Sequence, residues 1–273
     1  MFNILKNSFD ITNKYIILAT PLILFSLVSS LYLIFSINGN SAGVAFAVIL
    51  FFLMLGAFLS GWLYMAKKCI INPENDDING LLAEFPAGVG EYFLPICGII
   101  IICIIITAII SGLAYIAGTK FIGDIRPLYQ GLMNASSSTA AIKTYITGLS
   151  VNELIKLNEW NLLLFAAAVS SHFVLMFYTP ALFFKTKNPF KALFIGIKDI
   201  FCRNFFKNVF LFILIAATYT IISVVSTLGG TNVAIHFIMT LVNFYYIVFV
   251  VIFIFNYYYK NYIQIGSNID KTV

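Results

Sequence analysis

Very few side chains in this sequence have the types and spacing that catalysis or metal binding requires. The two histidines, His172 and His236, would need carboxylates or thiols from elsewhere to form a metal site or a triad. No acidic residue lies inside the long apolar stretches of the chain. No phosphate-binding loop, dinucleotide-binding glycine motif, nucleophile elbow or zinc-helix signature occurs. The sequence therefore predicts no catalytic residue, no cofactor and no metal ligand, and we expect a protein that is not an enzyme.

Ser170, Ser171 and His172 form the most polar group inside an apolar stretch, and Asn243 lies in another such stretch. Polar groups at membrane depth line a substrate path or bind a lipid headgroup in some proteins, and in others they hydrogen-bond a neighbouring helix. We favour helix packing for these four residues. They are nevertheless the candidate intramembrane polar site of this chain.

A basic cluster surrounds an aromatic-rich amphipathic segment in the second half of the chain. Its members are Lys185, Lys187, Lys191, Lys198, Arg203 and Lys207. Near an anionic leaflet each basic residue contributes on the order of 1 kcal/mol of attraction, so the cluster is a candidate contact for anionic lipid. The same residues also serve as a topology signal. The sequence leaves both interpretations open.

Two other polar patterns favour ordinary structural roles. Asp77, Glu84 and Glu91 recur at a spacing of seven, which indicates a solvated helix face more strongly than a surface for a cytosolic partner. The three tyrosines at 257–259 predict an aromatic belt at the membrane interface.

The composition excludes a water-soluble domain. Of the 273 residues, 61% are hydrophobic and 10% are charged, and the mean hydropathy is +0.97. Soluble domains are about 45–50% apolar and about 25% charged, so this chain needs lipid as its solvent. Nucleic acid is accordingly not an expected partner. The four cysteines form no disulfide framework and are expected to be reduced.

Charge-free stretches divide the chain into six spans. A transmembrane helix needs about 20 mostly apolar residues, and residues 15–66 and 208–259 each supply two such lengths around a polar, glycine-containing turn. Residues 92–119 and 160–184 supply one each. The sequence therefore predicts an all-α polytopic membrane protein with six transmembrane helices, arranged as three helical hairpins in a single membrane domain.

An amphipathic segment precedes each hairpin, which predicts three parallel repeats of an interfacial helix followed by a hairpin. The repeats would be residues 1–69, 70–186 and 187–262, with an outer insertion at 120–159 and a short tail after residue 262 (residues 263–273). Each repeat contains two spans, so all three share one orientation.

Smaller helices are predicted within the second repeat. The aspartates at 76–77 would cap a short amphipathic helix that Pro86 interrupts. The outer insertion predicts a helix over residues 139–146. Ser150 and Glu153 have the spacing of a capping box ahead of the fourth span.

The distribution of lysine and arginine predicts the orientation. With the amino terminus inside, the two short outer turns carry no basic residue, and the outer insertion carries four: Lys120, Arg126, Lys143 and Lys156. All other basic residues then lie inside. By the positive-inside rule we expect both termini in the cytoplasm and the protein in the inner membrane of a cell.

Three segments resemble a known kind of protein. They are the lead-in NPFKALFIGIKDIFCRNFFKNVFLF at 188–212, the opening FNILKNSFDITNKYIILATPLILF at 2–25, and the apolar closing hairpin. Most of the chain outside 120–159 resembles six-span bacterial membrane proteins of uncharacterised function, including the membrane domain joined to some glycerophosphodiester phosphodiesterases. The resemblance implies an inner-membrane accessory protein without a defined reaction, and no active-site residue is carried over.

Two functions follow as hypotheses. The first is a non-enzymatic accessory or scaffold protein that engages membrane lipids, including anionic ones, or a protein partner, including a second copy of the chain, through cytosolic interfacial helices. The alternative is a substrate-binding or permease subunit of a transporter that works with a separate ATPase. In that case the region around His172 would form part of the path.

Overall fold

The apolar stretches form helices because backbone polar groups in hydrocarbon must bond within their own segment. A computed structural model of the protein describes residues 1–36, 41–73, 78–202, 204–228 and 232–264, which are almost entirely helical and contain no strand. The α-helices in these ranges are α1 (Phe2–Lys14), α2 (Ala19–Ser36), α3 (Ser41–Ile71), α4 (Ile78–Phe121), α5 (Arg126–Ala135), α6 (Thr139–Thr147), α7 (Val151–Leu175), α8 (Tyr178–Phe184), α9 (Pro189–Cys202), α10 (Phe205–Leu228) and α11 (Val233–Tyr258). A 3₁₀ turn, Ile16–Leu18, joins α1 to α2, and a π-helical turn, Tyr259–Gln264, follows α11.

Six helical segments are long and apolar enough to cross a membrane. They are Ile16–Ile34, Gly43–Ile71, Gly80–Phe121, Val151–Phe184, Phe205–Thr227 and Val233–Gln264. The predicted all-α fold with six spans is confirmed. The division into three repeats stays a prediction.

The chain forms two compact units, residues 1–101 with 175–273, the first unit, and residues 102–174, the second unit. In the first unit α1 packs against α11, and α9 packs against α8. Buried side chains are concentrated at the ends of the spans that carry Lys67, Lys68, Lys185, Lys187 and Lys260, which we call the lysine-rich end. Buried Trp62, for example, donates its indole N–H to the Leu18 carbonyl oxygen at 2.9 Å.

Away from the lysine-rich end, the spans of the first unit expose large apolar side chains. Examples are Leu24, Leu31, Ile34, Phe46, Ile49, Phe210, Ile221 and Phe237. Contiguous apolar surface of this kind marks a membrane-facing region. The first unit is therefore held together mainly at one end, and lipid covers the rest of its spans.

The prediction that Pro86 interrupts a short helix is wrong. Helix α4 runs without a break through Pro86 and Pro95. Membrane helices tolerate proline because neighbouring helices and local adjustments satisfy the freed backbone groups. A Cβ at Gly88 would lie 2.9 Å from the Ser60 carbonyl oxygen, so α3 and α4 approach each other closely near Pro86. The aspartates at 76–77, expected to cap this helix, lie outside the described residues.

The second unit contains the outer insertion and confirms two predictions about it. Helix α6 covers residues 139–147, as its pattern predicts. The Glu153 carboxylate accepts from the Ser150 backbone N–H at 2.8 Å and from the Ser150 hydroxyl at 2.7 Å, which is the predicted capping box. Helix α5 was not predicted. At its first residue, the Arg126 guanidinium lies 2.8 Å from Asp124 and hydrogen-bonds its carboxylate, which lowers the pKa of Asp124.

Candidate functional site at the lysine-rich end

The candidate intramembrane polar residues make bonds within their own helices or line an apolar cavity. Ser171 is buried and donates to the Ala167 carbonyl oxygen at 2.9 Å. Exposed His172 places Nδ1 2.7 Å from the Ala168 carbonyl oxygen, and Ser170 is exposed. These three residues belong to the second unit. Asn243 belongs to the first unit, where it is half-buried and lines an apolar cavity of about 400 Å³ between α10 and α11. A role in transport or binding stays a prediction for all four.

The basic cluster separates into two groups. Lys185 and Lys187 pair with acidic residues of the first unit: Lys185 with Asp199 at 2.7 Å, and Lys187 with Glu91 at 3.0 Å. Lys191, Lys198 and Lys207 are exposed. Arg203 lies outside the described residues. Among the described residues, ion pairs involve Lys185 and Lys187 but not Lys191, Lys198 or Lys207, so these three remain the better candidates for lipid contacts.

Asp199 is the acidic residue around which the lysine-rich end is organised. It lies on α9 and is 9% exposed. The Tyr258 hydroxyl donates to Asp199 Oδ2 at 2.5 Å, and Lys185 Nζ donates to the same oxygen at 2.7 Å. The Lys185 ammonium also lies 5.3 Å from the centroid of the Tyr258 ring, in the range of a cation–π interaction. The negative charge is thus matched by one cation and one phenol.

Asn208, fully buried near the start of α10, extends this network to the end of α9. Its amide nitrogen donates to the carbonyl oxygens of Asp199 at 3.2 Å and Ile200 at 2.9 Å. Its amide oxygen accepts from the hydroxyls of Tyr257 at 2.9 Å and Tyr262 at 3.0 Å. The terminal carbonyls of a helix lack partners within it, and Asn208 supplies them here.

We call Lys185, Asp199, Asn208, Tyr257, Tyr258 and Tyr262 the Asp199 cluster. Phe177, which is fully buried, packs against the three tyrosine rings with centroid distances of 5.3 to 5.9 Å. Gly196 permits the close approach of α9, because a Cβ there would lie 3.1 Å from the Phe177 carbonyl oxygen. The cluster thereby ties α8, α9, α10 and α11 together.

Glu84 and Glu91, the two described members of the acidic series spaced by seven, also form ion pairs. Glu84 lies 2.9 Å from Lys68, and Glu91 lies 3.0 Å from Lys187. Each acid is one-third exposed, and each pair joins α4 to another part of the chain. Two ion pairs therefore connect this helix face, which was expected to be solvated, to other parts of the first unit. Asp77 lies outside the described residues.

The sequence does not reveal the Asp199 cluster, although a signal for it exists. The tyrosines at 257–259 suggest a membrane belt, whereas Tyr257 and Tyr258 are almost fully buried and hydrogen-bonded to Asn208 and Asp199. On α9, Asp199 shares a face with small Ala192 and Gly196, at spacings of seven and three. An acid on a small-residue face indicates a charge that packs against protein.

The chemistry of this site is that of a structural network. Asp199 Oδ2 and both polar atoms of the Asn208 amide hydrogen-bond groups from other segments and so hold these segments together. Among the described residues, no group of three or more histidine, cysteine, aspartate or glutamate side chains is arranged to hold a metal ion. The fold and this site define a multi-pass α-helical membrane protein whose first unit is tied together at one end of its spans. Comparison with protein-family models, curated proteins and solved structures found no match to the chain.

Proposed function

We propose that this protein is a non-enzymatic accessory or scaffold protein of the bacterial inner membrane that binds the membrane surface through α1 and α9, with both termini in the cytoplasm. The observation that carries the proposal is the division of α9 into three faces. Ala192, Gly196 and Asp199 are buried against the protein. A second face exposes large aromatic rings: Phe190 is 65% and Phe194 is 70% exposed.

Lysines form the third face of α9. Lys191 and Lys198 are exposed, away from the buried face. A helix with one aromatic face and one cationic face beside a membrane span is suited to lie in the interface plane, with its rings at the acyl boundary and its lysines among the headgroups. The lead-in at 188–212 resembles six-span bacterial membrane proteins of uncharacterised function, and that resemblance implies an accessory role.

Helix α1 offers a second surface of the same kind. Phe2 is 77% and Phe9 is 48% exposed, and Lys6 is exposed on the same helix. Both helices are attached at the lysine-rich end, which the positive-inside rule assigns to the cytoplasm. Two interfacial helices on one side of the membrane provide a surface for anionic lipid.

Depth-dependent quenching tests this proposal. The full-length protein, with exposed Cys202 replaced by serine, carries a fluorophore at Phe190→Cys or, as the matched control about 100° around the same helix, at Lys191→Cys. In nanodiscs of anionic lipid we expect lipids brominated near the glycerol to quench residue 190 strongly and residue 191 weakly. Equal quenching at the two positions would contradict an interfacial α9.

The alternative function, a permease subunit that works with an ATPase, predicts a different composition of the native complex. Native mass spectrometry of the protein gently extracted from its host membrane would then show an ATPase at fixed stoichiometry. The permease hypothesis also predicts that His172→Phe abolishes transport while the amount of the protein in the membrane stays normal. Retained lipid or a non-ATPase partner, with His172→Phe unaffected, supports the accessory role.

A further inference from the structure

A groove between α1 and α10 has the properties of a binding site for one lipid chain. It has a volume of about 370 Å³, within the range of about 300–1,000 Å³ that ligand pockets occupy. Phe2, Leu5 and Phe9 of α1 form one wall. Leu214 and Thr218 of α10 form the other, and α11 contributes the floor.

The groove is apolar even where it contains a hydroxyl group. Thr218 Oγ1 lies 2.9 Å from the Leu214 carbonyl oxygen, to which it donates, and 2.8 Å from the Tyr246 hydroxyl. The threonine hydroxyl is therefore engaged with protein and presents no strong site for a polar ligand. The floor consists of the phenyl rings of Phe249 and Phe253. An acyl chain suits this lining better than a polar solute does.

Two exposed lysines lie on the helices that form the walls of the groove. Lys6, exposed on α1, lines the groove. Lys207, also exposed, precedes Leu214 by seven residues, which is about two helical turns, so it lies on the groove face of α10 towards the helix amino terminus. Anionic headgroups favour such lysines at the membrane surface.

We propose that this groove binds one acyl chain of an anionic phospholipid, whose phosphate is held by Lys6 and Lys207. The proposal deepens the proposed function and rests on its claim that α1 lies at the membrane surface. Of the occupants that an apolar groove can accept, the anionic phospholipid is favoured because the groove is otherwise apolar, has Lys6 in its lining and is part of a membrane-facing surface. The lipid would bridge α1 and α10.

Native mass spectrometry of the full-length protein with equal amounts of phosphatidylglycerol and phosphatidylcholine tests the site. We expect one phosphatidylglycerol to remain bound at activation energies that remove the others. Leu214→Trp fills the groove and should lower this retained fraction about tenfold, equivalent to 1.4 kcal/mol. Ile213→Trp, at the neighbouring position that is 57% exposed and outside the groove, should leave the fraction unchanged.

Charge variants test the headgroup. Lys6→Gln and Lys207→Gln should each lower the preference for phosphatidylglycerol about fivefold, the factor that one basic residue contributes near an anionic headgroup. Lys143→Gln, at an exposed position in the second unit, should not. Retention of both lipids alike would overturn the headgroup assignment.

Equal losses in the two tryptophan variants, or no retained lipid, would overturn the groove as a lipid site. If the protein is a dimer and Leu214→Trp dissociates it, the groove binds a second copy of the chain and not a lipid. Helix α9 does not line the groove. Quenching on α9 and lipid retention therefore report separately on the proposed function and on this inference.

Discussion

At the scale of single residues, the pair formed by Lys185 and Asp199 is predicted to stabilise the fold through charge compensation. The two side chains are 26% and 12% exposed. Lys185→Met leaves a largely buried carboxylate without its cation and should lower the free energy of unfolding by about 2–3 kcal/mol. The double variant Lys185→Met, Asp199→Leu removes both charges, so it should cost at least about 1 kcal/mol less than the sum of the single variants.

Unfolding in mixed micelles of increasing dodecyl sulfate content measures these free energies. The control is Lys187→Met, because Lys187 pairs with Glu91 while its side chain is 61% exposed. An exposed pair contributes about 0–1 kcal/mol, so this variant should have little effect. If the loss of unfolding free energy in the double variant equals the sum of the losses in Lys185→Met and Asp199→Leu, the two residues act independently.

At the scale of elements, α1 is attached to α11 by side-chain hydrogen bonds. The Asn256 amide nitrogen donates to Asn7 Oδ1 at 2.9 Å and to the Ser8 hydroxyl at 2.8 Å. Lys260 Nζ donates to Asn7 Oδ1 at 2.8 Å, and the Tyr245 hydroxyl donates to Asn13 Oδ1 at 2.7 Å. Side chains of α1 form one wall of the proposed lipid groove, so these hydrogen bonds also hold that wall in place.

Asn256→Leu should therefore release α1 from the bundle. The loss of two donated bonds, one of them to the buried Ser8 hydroxyl, costs about 1–3 kcal/mol, so amide hydrogen exchange over residues 2–14 should accelerate about tenfold or more. Tyr245→Phe removes a single bond at an exposed site and should accelerate exchange less. If exchange in α1 is unchanged in Asn256→Leu, apolar contacts alone hold the helix.

Elements whose signal is local were predictable from the sequence, and those that depend on neighbouring helices were not. Helix α6 and the capping box of Ser150 with Glu153 follow from residues a few positions apart. The continuity of α4 through Pro86 depends on its membrane setting and on its neighbours, which a local rule for proline does not include.

At the scale of the whole molecule, six spans could be predicted because lipid imposes a length and an absence of charge on each of them. The candidate site could not be predicted, since its members span positions 185 to 262 and come from α9, α10, α11, the π-helical turn and the residue that follows α8. Asp199 and Tyr258 meet only when α9 folds back onto α11. Hydropathy and charge counts show whether a single segment prefers lipid or water. The pairing of buried polar groups depends on which helices pack together, and a count over one segment does not contain that information.

The orientation of the molecule is the last prediction, and it determines which leaflet supplies the groove. The concentration of lysines at the lysine-rich end predicts that this end faces the cytoplasm. With Cys202 replaced by serine, we expect a membrane-impermeant maleimide to label Lys143→Cys in intact spheroplasts and Lys198→Cys only after permeabilisation, since both positions are exposed. The remaining thiols, Cys69, Cys97 and Cys103, are buried or half-buried. The reverse pattern would place Lys6 and the groove in the outer leaflet.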